Sequence, residues 1–183
     1  MDTARFEVRE VDRDRWDDLA ALFEARGGPH YCWCMAWRKK PANAESGKAG
    51  LKAALHSRVA DGIPIGLLAY CDGRPVAWCS IAPRSSYRRL GGPGEPDEEN
   101  AVWSLVCFFV KREFRGQGLP DRLIRAAIDH AKGRGAKVVE AYPVDPDSPS
   151  YRFMGVVNMF EKAGFKLVGQ AGTRRHVMRI ELI

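Results

Sequence analysis

The chain lacks any apolar stretch long enough to cross a bilayer. Its main apolar run, residues 101–110, is interrupted by Ser104 and reaches half of the roughly 20 residues that a spanning helix needs. The N-terminus, Met1-Asp2-Thr3-Ala4-Arg5, has no apolar core behind a basic start, so no signal peptide is visible and a cytoplasmic location is expected. Cysteine is sparse and unframed: five residues, at 32, 34, 71, 79 and 107, an odd number without regular spacing, which reads as reduced thiols rather than a disulfide scaffold. Repeats, low-complexity tracts and an interdomain linker are also missing, and 183 residues suit a single domain, 1–183, with a sizeable core. The net charge of +6 is not gathered into a stripe. Basic residues cluster only briefly, at Arg38-Lys39-Lys40, Arg88-Arg89 and Arg174-Arg175, so a nucleic-acid partner is not expected.

What is present alternates between strand and helix patterns. Phe6 and Val8 mark a first strand, and Trp16, Leu19, Ala20 and Phe23 one side of a helix ended by Gly27-Gly28-Pro29. The aromatic and sulfur-rich segment 30–37 follows, then a helix with Leu51, Ala54, Leu55 and Val59. Residues 65–71 and 75–81 flank Asp72-Gly73, a hairpin signal. A long loop, 83–100, leads into the apolar strand 101–110. Leu119, Leu123, Ala127, Ile128 and Ala131 then recur at helical spacing. A strand over 137–142, a helix opening at Ser150 or Tyr151 with Phe153, Val157 and Phe160 inward, and strands over 165–168 and 176–182 complete the chain.

Between the apolar strand and the following helix lies Arg115-Gly116-Gln117-Gly118-Leu119. Two glycines in such a turn let backbone N–H groups converge at a helix N-terminus, where an anion is favoured. With the buried strand before it, this turn resembles motif A of the GCN5-related N-acetyltransferases, the GNAT superfamily. The segment 158–165, Asn-Met-Phe-Glu-Lys-Ala-Gly-Phe, resembles the family's second hallmark, Tyr-Glu-Lys-x-Gly-Phe. The order of elements agrees. The resemblance implies an α/β (α+β) GNAT-like fold: a central mixed, mostly antiparallel sheet of about six to seven strands with helices on both faces.

The resemblance also implies acetyl-CoA as co-substrate, a primary amine of a small molecule or peptide as acceptor, and direct transfer between them. Backbone groups of Arg115, Gly116, Gln117, Gly118 and Leu119 would wrap the pyrophosphate, and the strand edge at Phe108 and Val110 would pair with pantetheine. Pro120 stands at the sixth motif position and has no N–H, leaving the N–H of Asp121 or an arginine side chain to replace that donor. The Asp121 carboxylate itself reads as a first-turn acid that favours the helix dipole.

The catalytic half is less defined. Ser104 lies near the position where many family members carry a glutamate, and would position a water rather than act as a base. Glu140 and Tyr142 share a face of the next strand. Glu140 reads either as the base, directly or through water, or as a solvent-facing strand-end acid. Phe160 occupies the place of the family's tyrosine acid, so Tyr151 and Tyr142 become candidates, with helix-start packing the preferred reading for Tyr151. The His30-x-Cys32-x-Cys34 cluster falls short of the four ligands of a structural zinc site, so no metal is expected and an aromatic-thiol wall of the acceptor pocket is the preferred reading. Cys107, in the buried strand, reads as a packing residue. A non-catalytic acyl-CoA-binding regulatory module is the competing function. The oligomeric state is open, a homodimer included.

Overall fold

The computed structural model describes residues 5–93 and 101–183, so the later part of the long loop lies outside the described residues. Seven strands form one sheet: β1 (Phe6–Glu10), β2 (Gly66–Cys71), β3 (Arg74–Pro83), β4 (Val102–Val110), β5 (Val138–Ala141), β6 (Lys166–Ala171) and β7 (Arg175–Glu181). They lie in the order β1-β2-β3-β4-β5-β7-β6. Among the described residues β4 and β5 are the one parallel pair, and every other neighbouring pair is antiparallel. This is the mixed, mostly antiparallel sheet expected from the sequence. The β2–β3 turn is the predicted Asp-Gly hairpin, with Asp72 at φ 48° and Gly73 at φ 76°, both left-handed as a type I′ turn requires.

Four helices, α1 (Trp16–Glu24), α2 (Gly47–Ala60), α3 (Leu119–Gly133) and α4 (Val157–Lys162), cover both faces. Strand alternation divides the core between them. Leu67, Ala69 and Cys71 of β2 pack in one cluster with Leu119, Leu123, Ile124 and Ala127 of α3. Leu68 and Tyr70 pack in the other with Leu19, Leu22 and Phe23 of α1 and Leu55 and Val59 of α2.

β4 breaks this alternation once. Ile81 pairs with Leu105 while its neighbour Ser80 pairs with Cys107, so Val106 is an extra residue, a bulge. Leu105 and Phe108 therefore both pack toward α3, and Cys107 and Phe109 turn to the α1–α2 side. Without the bulge Cys107 would share the face of Leu105 and point at α3.

The helix expected from residue 150 onward is not continuous. A 3-10 turn at Arg152–Met154 is separated from α4 by Gly155, at φ 86°, where a Cβ would lie 2.7 Å from the Phe160 ring. Phe160 is fully buried as expected, but Phe153, expected to point inward, is 43% exposed because it lies before the break.

Candidate active site

The glycine turn enters α3 through two left-handed residues, Gly116 at φ 76° and Gly118 at φ 72°, the latter as N-cap. A Cβ at either glycine would meet nothing within 4 Å, so the conformation and not crowding calls for glycine. The turn is pinned by side chains that reach back: Arg115 Nε donates to the Val110 carbonyl (3.2 Å) and Gln117 Nε2 to the Glu113 carbonyl (3.1 Å). Leu119 is buried against the sheet, while Arg115, Gly116, Gln117, Gly118 and Asp121 are exposed. Pro120 occupies the first turn, where it costs no helical hydrogen bond. The first-turn N–H groups have no intrahelical acceptor and face the same end of the helix.

β4 and β5 separate close to this turn. Their pairing ends at Leu105 opposite Ala141, whereas β4 continues to Val110. The backbone of residues 106–110, which includes the Phe108 and Val110 positions, thus borders a gap in the sheet. A cavity of about 770 Å³ occupies the region. Its lining includes Val110, Arg115 and Pro120 beside the glycine turn, Phe108 and Val156, and Cys34, Ser80, Tyr87 and Cys107.

Cys34 comes from the segment 29–38, whose backbone is unusual. Trp33 (φ 47°) and Cys34 (φ 53°) are successive left-handed residues without being glycine, a conformation costing roughly 1–3 kcal/mol at each and found mostly at functional sites. Arg38 holds the segment from below. It is fully buried, with Nε donating to the Cys34 carbonyl (3.1 Å) and Nη2 to the Ile65 carbonyl (2.6 Å) and Ser80 Oγ (2.7 Å). Its Nη1 has no hydrogen-bond partner. The sequence placed Arg38 in a short basic cluster; the preceding Trp37 was the single hint that it turns inward.

The candidate acid–base residues gather elsewhere. Glu140 and Ser104 pair across β5 and β4, and both are fully buried. Tyr142 donates its hydroxyl to Glu140 Oε1 (2.5 Å) and shares a hydrogen bond with Ser104 Oγ (2.8 Å). Arg179 Nε bonds Glu140 Oε2 at 2.6 Å, and Arg84 approaches it at 3.5 Å. Burial and the neighbouring Glu140 carboxylate push the Tyr142 phenol well above its ordinary range. The strand-end acid is therefore not solvent-facing: Glu140, Tyr142 and Ser104 form one buried network, and none of them lines the cavity. Tyr151 stands apart, 38% exposed at φ 60°, its ring 5.5 Å from the Arg175 guanidinium that also covers Trp37. Phe160, where the second hallmark has tyrosine, packs on Phe165 and Phe108 beneath the cavity. Among the described residues no three His, Cys, Asp or Glu side chains group as a metal site.

The sequence matches the model of the Acetyltransferase (GNAT) family over residues 16–165, and the chain belongs to that family. No curated protein matches it. Solved structures share the fold at low identity. An N-acetyltransferase from Staphylococcus aureus Mu50 is 13% identical with a TM-score of 0.59, the alignment covering 98% of this chain and 99% of that one. YncA, a putative acetyltransferase from Salmonella typhimurium solved with its cofactor acetyl-CoA, is 18% identical with a TM-score of 0.60, covering 97% and 94%. The PaiA N-acetyltransferase from Thermoplasma acidophilum, in complex with coenzyme A, is 14% identical with a TM-score of 0.58, covering 97% and 99%.

Proposed function

We propose that residues 1–183 form one acetyl-CoA-dependent N-acetyltransferase domain that moves an acetyl group to a primary amine of a small molecule or peptide. One observation carries the reading: a single cavity runs from the glycine turn, along the β4 edge left free by β5, to an aromatic and thiol-lined wall. Acetyl transfer requires that sequence of surfaces. A pyrophosphate fits the first-turn N–H groups and Arg115. A pantetheine arm carries amides that match an open strand edge at Phe108 and Val110. An acyl group at the far end of the arm then meets the wall built from segment 29–38. Bound coenzyme A in two of the fold relatives supports the assignment of this surface.

The acceptor side is apolar and aromatic, with Tyr31, Trp37, Tyr87 and Phe153 on the cavity. Direct transfer, the simplest route in a cavity that admits both substrates, needs a proton acceptor beside the amine. Glu140, Tyr142 and Ser104 would serve it from behind the wall, by fixing the end of β5 where the strands part. Tyr151 would hold Arg175 and Trp37 in place at the acceptor edge. The described residues include no helix long and apolar enough to cross a membrane.

Calorimetric titration with acetyl-CoA, followed by a thiol-release screen over small amines and peptide N-termini, tests the proposal. Saturable binding and amine-dependent release of coenzyme A are expected. Binding without release for any amine would favour the regulatory-module reading, and absence of binding would remove the proposal.

A further inference from the structure

The described part of the cavity wall contains neither carboxylate nor imidazole, whereas guanidinium groups recur around it. Arg115 and Arg152 line the cavity directly. Arg88 and Arg175 stand on the lining residue Trp37, 5.3 and 4.5 Å from its ring centroid, and Arg38 lies 4.9 Å from the ring of Tyr87, also in the lining. None of the five meets a carboxylate among the described residues. Arg38, Arg88, Arg115 and Arg175 donate to backbone carbonyls, Arg38 also to the Ser80 hydroxyl, and Arg152 makes no such bond. Elsewhere arginines do find acids: Arg84 and Arg179 on Glu140, Arg134 on Glu10, Arg15 on Asp12. The described cavity wall is thus positive and without a counter-charge of its own.

The same wall carries a strip of aromatic rings. Trp37 lies 6.3 Å from Tyr151, and Tyr151 lies 6.2 Å from Phe153, centroid to centroid. Tyr31 and Phe153 both line the cavity, and both are exposed. Exposed aromatic rings gathered at a cavity offer a seat for the apolar body of a ligand.

The backbone joins the two features at one place. The 3-10 turn Arg152–Met154 is bracketed by two left-handed residues, Tyr151 at φ 60° and Gly155 at φ 86°. That conformation is costly for a tyrosine. Between the brackets Met154 is buried, while Arg152 and Phe153 both reach the cavity, side by side. A guanidinium with its donors unspent therefore stands next to an exposed ring. Its planar fork suits a carboxylate, which it can hold through two parallel hydrogen bonds. The surrounding positive charge opposes a ligand with a second ammonium group and favours the neutral, reactive form of a single amine.

We propose that the acceptor is an amine carrying its own carboxylate on an apolar or aromatic body, in chemical class an apolar amino acid. Arg152 receives the carboxylate, and Trp37 and Phe153 seat the body. The inference rests on the acetyl-CoA reading above and narrows its acceptor from any primary amine to this class. Arg115, beside the glycine turn, stays with the coenzyme. Arg38, Arg88 and Arg175 act through the rings they cover: they hold Tyr87 and Trp37 in place and keep the wall positive.

The test has a binding arm and a turnover arm, both on the intact protein. Calorimetry with acetyl-CoA alone comes first, and absence of binding there would strike the acetyltransferase reading itself. The acceptor site is then probed separately with hydrocinnamate, which has the ring and the carboxylate but no amine, and with phenethylamine, its cationic counterpart. Hydrocinnamate should bind at least about tenfold more tightly than phenethylamine. In thiol release, phenylalanine should exceed phenethylamine and phenylalanine amide by about 10- to 100-fold in kcat/KM, mainly through KM, and spermidine should not react. Arg152→Gln should bring the ratio of phenylalanine to phenethylamine close to one, and Arg152→Lys should restore part of it. Acetyl-CoA should bind both variants as it binds the wild type. Failure of hydrocinnamate to bind overturns the proposal, as does equal or faster turnover of the cationic amines. Weaker acetyl-CoA binding by Arg152→Gln with an unchanged acceptor ratio would assign the guanidinium to the coenzyme and also overturn it.

Discussion

The two fully buried charged side chains of the described structure, Glu140 and Arg38, are neutralised in opposite ways. Glu140 has two guanidinium groups and a phenol on its carboxylate, and lies sealed under Gly92 and Pro93, with Arg179 Nη2 donating to the Pro93 carbonyl at 2.7 Å. Arg38 has no carboxylate among the described residues, only the carbonyls of Cys34 and Ile65, the Ser80 hydroxyl and the Tyr87 ring, 4.9 Å from its guanidinium. A saturated charge has no capacity left to polarise a reactant. An unsaturated one imposes its field on whatever lies next to it. The contrast leaves Glu140 saturated by its partners and the Arg38 charge without a carboxylate among the described residues.

The sharpest way to break that contrast is to remove each charge. Glu140→Ala orphans Arg84, Arg179 and Tyr142 together and should destabilise the protein by about 3–5 kcal/mol in urea unfolding. Arg38→Met leaves polar groups but no carboxylate behind, so its loss should be smaller, about 1–3 kcal/mol. Its distinctive effect is chemical: without the cation the Cys34 thiolate forms at higher pH, so the pH profile of iodoacetamide labelling at Cys34 shifts upward. Equal destabilisation by the two variants with no shift in labelling would erase the distinction. Gly92→Ala places a Cβ 2.5 Å from Glu140 Oε1 and should cost about 1–3 kcal/mol by overpacking, with Cys34 labelling unchanged. Gly118→Ala forces a left-handed alanine at the α3 entrance, for about 1–2 kcal/mol, and should also weaken acetyl-CoA binding in calorimetry. Ser104→Ala removes one of two bonds to the Tyr142 hydroxyl, which keeps Glu140, and should lose only about 0.5–1.5 kcal/mol.

The glycine turn and the strand and helix that flank it were legible because local rules govern them. The apolar run 101–110, the Arg-Gly-x-Gly turn and the periodic helix each follow from residue type and spacing, and the structure builds them as β4, a left-handed glycine turn and α3. The Asp72-Gly73 hairpin was legible for the same reason. Long-range facts were not. No glycine or proline marks the Val106 bulge, which depends on how β3 registers against β4. Placement of β7 between β5 and β6 follows from pairing across the sheet. Arg38 read as part of a basic cluster because burial of a lone guanidinium is decided by carbonyls 4 and 27 residues away. Glu140 could be placed on a face with Tyr142, but its partners Arg84 and Arg179 lie on distant segments. The helix break at Gly155 was misread because Phe153, Val157 and Phe160 fit one helical face on spacing alone.

The most direct measurement is a crystal structure of the protein with coenzyme A. The pyrophosphate should contact the turn of Gly116 and Gly118, pantetheine should pair with the free β4 edge at Phe108 and Val110, and the thiol should end beside Cys34. Coenzyme A bound away from the glycine turn, or with its thiol directed to Glu140 rather than to Cys34, would contradict the account.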